Sequence, residues 1–508
     1  MVVFILLLLV IAVFLYFKHA HGYWKRLGVP QLQPSFPFGD MKNPILRKQN
    51  MGDKIKEVYD HARSKNYDYI GLYFFSRKAF LPVNPELIKN ILVKDFHHFS
   101  DRGIHYDEVN DPLSAHLFSI AGTKWKNLRA KLTPAYSPVK LNGMFNIVRC
   151  CAEEMVQLVS EESEKKADIE IKEILARYST DVIGCCAFGL DCNTMRDPQA
   201  EFRLMGKRAF TQTVGDLLKM VVIRSFPSLA RLLGFGVFPD NVTSFFRGVV
   251  KETIEYREKN NVERKDFMQL LVALKRNGSL EAGSNLNENE SDLGKALTMD
   301  EAAAQAFIFF LAGFETTSTT TSYSLFEMAK NSAIQKRVRD EILTTLKKYD
   351  GKLTYDGLME LKYLDQVIGE TLRKYPPAPV FLRVCTERYT VPGTKTTIEK
   401  GQTVLIPCLG LQRDPEYFPD PETFDPERFS DDNKGRIVDG TYIPFGAGPR
   451  NCFFMRFAMI QAKTALALYL LKFDFSLSGR TQLPLKMETK GIILAPVGGL
   501  WIHFKQRA

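Results

Sequence analysis

The residues most able to do chemistry sit in one short run, PFGAGPRNCFFMRFA over 444–458. Gly446, Gly448 and Pro449 precede Cys452, with Arg450 and Asn451 between them. Glycine lets a chain bend tightly and approach a ligand closely. N–H groups aimed at a sulfur stabilise its thiolate and tune any metal it holds. Beyond Cys452 the apolar positions Phe453, Phe457, Ile460 and Ala467 follow a helical period, so a helix is expected to start at the cysteine. Its positive end would then face an anionic sulfur. Phe445 can shield that sulfur, and Arg450 supplies a cation two residues away. The chemistry on offer is that of a cysteine thiolate tuned as a metal ligand. Taken alone, the run also reads as a buried free cysteine after a glycine-rich turn.

Two further clusters need an explanation. Glu370 and Arg373 in ETLR are spaced by three and share a helix face, so they can pair. Tyr375-Pro376-Pro377 then ends that helix. Residues 311–318, LAGFETTS, place Glu315 and Thr316 inside an otherwise apolar helix. Thr298 and Glu301 form a capping box at its start. A threonine there can bond its own backbone and bend the helix, opening a groove. The plain alternative is a solvated patch on a surface helix.

The elements that must position these residues are mostly helical. Apolar residues recur at helical spacing over 142–163, 168–188, 246–276, 299–331, 333–349 and 354–375. Strand-like runs are fewer: Tyr69–Phe75, Lys78–Val83, Val404–Pro407 and Gly491–Pro496. The expected class is mainly α with minor β. The polar stretch Asn277–Asp292 reads as a surface loop between two helices.

The chain has 508 residues, 45% of them hydrophobic, which is ample for a large core. Its net charge of +10 suits anionic lipid or an acidic protein partner. The Lys and Arg residues form no dense block, which argues against nucleic acid. Eight cysteines include no CxxC pair, so zinc spacing is absent. Cys150-Cys151 and Cys185-Cys186 are adjacent pairs, and neighbours make poor intrachain disulfides. Most cysteines therefore read as reduced, small core residues.

Met1 to Phe17 are uncharged and apolar, near the minimum for a membrane span. Lys18, Lys25 and Arg26 follow, which keeps that side in the cytosol. No basic region precedes the run and no small-residue cleavage site follows, so an uncleaved anchor is expected. Pro30, Pro34 and Pro37 then make a stiff connector. The expected organisation is an anchor over 1–20, a proline-rich connector over 21–40 and a single catalytic domain over 41–508.

FxxGxRxC, realised as Phe445, Gly448, Arg450 and Cys452, resembles the haem-binding signature of cytochromes P450. The resemblance runs from the anchor to the C-terminus. The stretches RKDFMQLLVALK and LTMDEAAAQAF bring it nearest to the insect family-six group of microsomal type. It implies the cytochrome P450 fold with an N-terminal transmembrane anchor, and a haem b whose iron is held by Cys452. It implies that Glu370, Arg373 and Arg428 (in PERF) form a buried charge cluster behind the cysteine loop. Trp125 and Arg129, in WKNLR, match the family's propionate contacts, as do Arg383, Arg450 and Arg102. A set of cations suits a dianionic ligand. Ala312 and Gly313 would leave room for dioxygen. Thr316 and Glu315 would support proton delivery to it.

The implied activity inserts one oxygen atom of dioxygen into small lipophilic molecules such as xenobiotics, plant toxins, insecticides or endogenous lipids. Electrons would come from NADPH through an FAD/FMN reductase, NADPH-cytochrome P450 reductase, with cytochrome b5 as a further donor. Lys126, Lys131 and Arg456 are candidate cations for docking it. The implied place is the endoplasmic reticulum membrane, with the catalytic domain facing the cytosol. One position departs from the pattern. Phe454 stands where the family usually has glycine, two residues after the cysteine. A large ring there is expected to overpack the site or to weaken haem binding. Other readings are a P450-fold isomerase or dehydratase, a non-catalytic haem carrier, and a membrane-tethered structural protein. The Glu315-Thr316 pair argues against the isomerase, and the motif spacings argue against the last.

Overall fold

The computed structural model describes residues 1–165, 168–211, 213–277, 295–491 and 493–507. These fall into two compact units. One comprises 1–103, 369–452 and 482–497, and the other 104–368, 453–481 and 498–508.

The first unit is built on a four-stranded sheet in the order Tyr69–Phe74, Arg77–Pro82, Thr403–Ile406, Phe381–Val384. The first two strands form an antiparallel hairpin, with Tyr69 opposite Pro82 and Phe74 opposite Arg77. The third runs parallel to the second, and the fourth returns antiparallel with Arg383 opposite Val404. Trp24 is fully buried against this sheet and donates its indole N–H to the Leu72 carbonyl at 3.2 Å. A Cβ on Gly71 would lie 2.2 Å from the Trp24 ring, so glycine is what lets the indole dock. The helix Met51–Ser64 starts at Asn50, whose side chain accepts the Gly52 N–H at 2.7 Å. Its Ile55, Val58 and Tyr59 complete the core.

This unit also carries the helix Val2–Ala20, none of whose residues is buried. It is the one described helix long and apolar enough to cross a membrane. The strand expected over Gly491–Pro496 does not form among the described residues. Met487 makes an isolated bridge to Pro496, with the Glu488 and Val497 N–H groups bonded to Ala495 and Lys486. Pro496 has no N–H for a ladder, which holds this pairing to a bridge.

The second unit is a helical assembly around Met299–Lys330, called here the central helix. Its capping box is in place. The Thr298 hydroxyl accepts the Glu301 N–H, and Glu301 accepts the Thr298 N–H at 2.9 Å. The central helix packs against Ile171–Ile183, Asp240–Asn260 and Met455–Lys472. A three-stranded sheet of Ile169–Glu170, Trp501–Gln506 and Phe473–Leu477 completes the unit.

Two of the long helical stretches prove to be pairs. The stretch 246–276 breaks into Asp240–Asn260 and Phe267–Asn277, because Asn261 turns left-handed at φ 50°. The stretch 354–375 is Tyr355–Glu360 followed by Lys362–Lys374. Of the loop expected over 277–292, all but Asn277 lies outside the described residues.

Candidate active site

In the sheet-bearing unit, the segment 444–452 forms a tight loop ending at Cys452. Gly446 and Gly448 both sit at φ +70°. At Gly448 a Cβ would meet the Leu92 carbonyl oxygen at 1.9 Å, so no other residue fits. The Cys452 N–H donates to the Phe445 carbonyl at 2.7 Å and closes the loop. The helix that follows starts at Met455, not at the cysteine as the apolar period implied. Phe453 and Phe454 intervene, so Cys452 precedes that helix by three residues.

Arg450 is buried. Its Nε donates to the Ser100 carbonyl at 2.7 Å, and its guanidinium lies 3.5 Å from the Asp101 carboxylate. Arg102 donates to the Arg450 carbonyl at 2.9 Å. The Val384 N–H bonds the Asp101 carbonyl at 2.8 Å, which lays this segment along the strand that carries Arg383. Thus Arg102, Arg383 and Arg450 gather around the cysteine loop.

Arg383 is the most exacting of the three. It is 2% exposed, donates one N–H to the Leu382 carbonyl, and leaves its buried Nε without a hydrogen-bond partner among the described residues. Burial pushes its guanidinium down to about 10. A guanidinium held in the interior this way asks for an anionic ligand.

Behind the loop, Glu370 and Arg373 are fully buried and bidentate, at 2.7 and 2.8 Å. Arg373 also donates to the Gln412 and Pro421 carbonyls, at 2.9 and 2.8 Å. Glu370 accepts the Asp425 N–H at 2.9 Å, and the Arg428 guanidinium stands 3.5 Å away. The charges are paired and backbone carbonyls take the further donors of Arg373, while Arg428 Nε is buried with no hydrogen-bond partner among the described residues.

In the helical unit, Trp125 and Arg129 share the helix Gly122–Leu132. The Arg129 guanidinium lies 6.0 Å from the Trp125 ring and 5.4 Å from the ring of Phe453. The central helix is buried at every residue from Ala302 to Met328 except Leu311, Ala312, Gly313, Glu315 and Thr316. Its one partly open window therefore coincides with the polar pair. The Thr316 hydroxyl donates to the Ala312 carbonyl at 2.5 Å. Glu315 is met by Lys172 of the helix Ile171–Ile183, with Nζ 2.6 Å from Oε1. Gly313 does not leave the room expected of it. A Cβ there would come within 2.5 Å of Ile183 Cδ1, so its smallness serves helix packing.

Phe454 fits its backbone at φ −95°. Its ring stands edge-on to Phe309, with centroids 4.2 Å apart, and to Tyr136 at 5.2 Å. Phe453 touches the same group, 4.8 Å from Tyr136. The neighbours of this ring have not shrunk; they are aromatic. Sequence reasoning also missed Lys172, which lies 143 residues from Glu315. Ser100 and Asp101 carried no motif of their own, although the adjacent Arg102 pointed to their segment.

A Cytochrome P450 family model matches residues 36–503. The chain is similar to Cytochrome P450 6a2 of Drosophila melanogaster, at 41% identity over 99% of this chain and all of that protein. It is similar to Cytochrome P450 6k1 of Blattella germanica, at 39% identity over 98% and 96% of the two chains. Cytochrome P450 6A1 of Musca domestica is 39% identical over 95% and 93%. A buried arginine that asks for an anion, a glycine loop ending in a cysteine, and a match of this extent lead to one assignment: the chain belongs to the cytochrome P450 family, haem-dependent monooxygenases.

Proposed function

We propose that this chain binds one haem b through Cys452 and oxygenates small lipophilic molecules with electrons drawn from NADPH. The observation that carries the reading is the window in the central helix. Glu315 and Thr316 sit at the partly open stretch within its buried run from Ala302 to Met328, with Ala312 beside them. A P450-fold isomerase needs no proton relay at that place, whereas a monooxygenase does.

The residues fit the cofactor. Arg383 has a buried N–H with no partner among the described residues, which suits a propionate carboxylate. With Arg102 and Arg450 it would hold propionate oxygens, and the family resemblance gives Trp125 and Arg129 the same role. Phe445 would shield the sulfur. When bound, the haem supplies the redox chemistry that reduces dioxygen and transfers one of its atoms, and the thiolate ligand favours O–O cleavage. The chain supplies the rest. The Thr316 hydroxyl must leave the Ala312 carbonyl, or accept a second bond, to pass a proton toward dioxygen. Glu315 supplies that proton from solvent and is held by Lys172 in the meantime. The buried Glu370, Arg373 and Arg428 cluster keeps the segment before the loop in place.

Electrons would arrive from an FAD/FMN reductase, with cytochrome b5 as a further donor, guided by Lys126, Lys131 and Arg456. The substrates proposed are xenobiotics, plant toxins, insecticides or endogenous lipids, in keeping with the family-six relatives. Residues 1–20 would anchor the chain in the endoplasmic reticulum membrane, 21–40 would connect, and 41–508 would be one cytosolic catalytic domain. The family match over 36–503 supports that division.

The test is the reduced, carbon-monoxide-bound spectrum of the purified chain and of Cys452→Ser, followed by NADPH turnover with reductase on lipophilic substrates. A red-shifted Soret band lost in the variant, with oxygenated product, is the expected result. Haem binding without NADPH-dependent product would leave the carrier reading. Rearrangement or dehydration of an added peroxide itself, with no oxygen transferred to a second molecule and no reductase requirement, would favour the isomerase or dehydratase reading.

A further inference from the structure

The sheet-bearing unit carries an aromatic cluster that the chemistry above does not use. It lies where the helix Val2–Ala20 meets the rest of that unit. The rings of Phe14 and Phe17 hold the ring of Phe36, with centroids 5.6 and 5.3 Å away. The Tyr16 hydroxyl donates to Ser76 Oγ at 3.3 Å, and His21 donates from Nε2 to the Phe75 carbonyl at 2.8 Å. The Phe75 N–H donates in turn to the Phe38 carbonyl at 3.1 Å. The last turns of the helix are therefore fastened to the hairpin turn Phe75-Ser76 and to the segment 36–38.

These contacts set a depth. Residues 1–17 are uncharged, and at about 1.5 Å per residue they make about 25 Å of helix. The hydrocarbon core of a bilayer is about 30 Å thick. A spanning helix this short must sink its whole apolar run, as far as Phe17, into the hydrocarbon. Phe36 touches Phe14 and Phe17 and is drawn to the same depth. Ser76, level with Tyr16, follows it.

The side chains suit that place. Phe36 is 50% and Phe75 38% exposed. Phe75 holds φ 53°, a left-handed value that a bulky residue rarely adopts. Aromatic rings settle at the level of lipid headgroups. Exposed cations flank the cluster along the chain. Lys18 follows Phe17, Arg77 follows Ser76, and Arg26 reaches back to the His19 carbonyl at 2.9 Å. Across residues 1–52 the one acid is Asp40, which is buried and accepts the Tyr73 N–H at 2.7 Å. These segments are thus aromatic and cationic, the complement of an anionic lipid surface.

We propose that the hairpin turn Phe75-Ser76, with Arg77 and the Phe36 ring, forms a second lipid-contact surface, seated between the headgroups and the hydrocarbon of a bilayer that carries anionic lipid. It rests on the reading of Val2–Ala20 as a spanning anchor. The anchor then does more than tether, because it holds this end of the sheet-bearing unit at one depth in the membrane.

The experiment places the full-length chain in vesicles of phosphatidylcholine and phosphatidylserine. Ser76→Cys carries a polarity-sensitive fluorophore, in a background where the exposed Cys150 is replaced by serine. Glu422→Cys carries the same label as the control, at an exposed side chain of the same unit. The label at 76 is expected to emit to the blue of the label at 422, and to be quenched by lipids spin-labelled near the headgroup. A second readout keeps the wild-type sequence. A photoactivated lipid should cross-link to peptides holding Phe36 and Phe75 as well as to residues 1–17. A label at 76 as wet as that at 422, or adducts confined to residues 1–17, overturns the inference when alkaline carbonate leaves the chain in the vesicles. Release by carbonate instead overturns the spanning anchor, and the lipid contact with it.

Discussion

Lys172 Nζ stands 2.6 Å from Glu315 Oε1, with side chains 19% and 21% exposed. The lysine belongs to the helix Ile171–Ile183, and the acid to the partly open window of the central helix. A pair this close to solvent contributes only about 0–1 kcal/mol to stability. Its larger effect is positional, because a carboxylate that must hand on a proton is more effective when held in place. Lys172→Met is therefore expected to leave haem content and melting temperature near wild type. Turnover should fall by about 3–10-fold, with fewer NADPH electrons ending in product. Lys172→Arg should recover most of it. Wild-type coupling in Lys172→Met would reduce the pair to a surface contact.

Glu370 and Arg373 behave differently because water cannot reach them. Removing one partner leaves a fully buried charge, and breaking such a pair costs about 3–5 kcal/mol. Glu370→Ala strips the acid from Arg373 and removes the acceptor of the Asp425 N–H. The variant is expected to lose that margin of unfolding free energy, read as a fall in the urea midpoint, and to fail to retain haem on purification. A Glu370→Ala protein with a wild-type midpoint would show that backbone carbonyls alone can carry the guanidinium.

Much of this arrangement was legible in the sequence, and the exceptions share a physical cause. Spacing along one helix is readable, so Glu370 with Arg373 and Trp125 with Arg129 stood out as pairs. Glycines that only glycine can replace, such as Gly448 against Leu92, were readable as a tight loop. Contacts across distant segments were not. Lys172 lies on an ordinary amphipathic helix, and nothing local ties it to Glu315. The helix after Cys452 was placed too early because its apolar period continues upstream through Phe453, while the backbone turns only at Met455. Gly313 was misread because a missing side chain does not say which neighbour uses the space.

The cost expected of Phe454 from its size is open to direct test. Its ring is packed edge-on among Phe309, Tyr136 and Phe453. Deleting a large aromatic from such a cluster leaves a void, at about 2–4 kcal/mol for a half-buried ring. Restoring the usual glycine by Phe454→Gly should thus lower the melting temperature and the denaturant midpoint. A stabilised Phe454→Gly chain would mean that the ring is strained where it sits.

Arg383 offers the opposite trade. Its guanidinium is buried, its Nε has no hydrogen-bond partner among the described residues, and burial holds it down to about 10. An apolar side chain of similar volume relieves that cost, so Arg383→Leu is expected to stabilise the haem-free protein by about 1–3 kcal/mol. The same change removes a propionate partner. Haem should dissociate faster, as read by transfer to apomyoglobin. An Arg383→Leu chain that loses stability without haem and keeps its haem as tightly would place the arginine outside the site.

Asp111 gives the chain a pH dependence with a definite sign. It is 2% exposed, and one carboxylate oxygen accepts the N–H groups of Val237 and Phe238 at 2.7 and 3.2 Å. The other oxygen is buried without a hydrogen-bond partner among the described residues. Burial raises its pKa from 3.8 to about 6, and the two N–H bonds only partly oppose this. The unfolded chain releases this proton near pH 4, and the folded chain keeps it to about pH 6. Between those values the folded state binds more protons, so this group's contribution to stability falls as pH rises through the window. Asp111→Asn keeps an acceptor for the two N–H groups and cannot ionise. Its stability relative to wild type should improve from pH 4.5 to pH 7 by about 2 kcal/mol, from the roughly 1.5 pKa units of the window above pH 4.5 at about 1.36 kcal/mol each. Parallel denaturation series at the two pH values measure that difference. A gap that does not change with pH would mean that Asp111 is already ionised at pH 4.5 and that its two N–H bonds outweigh its burial.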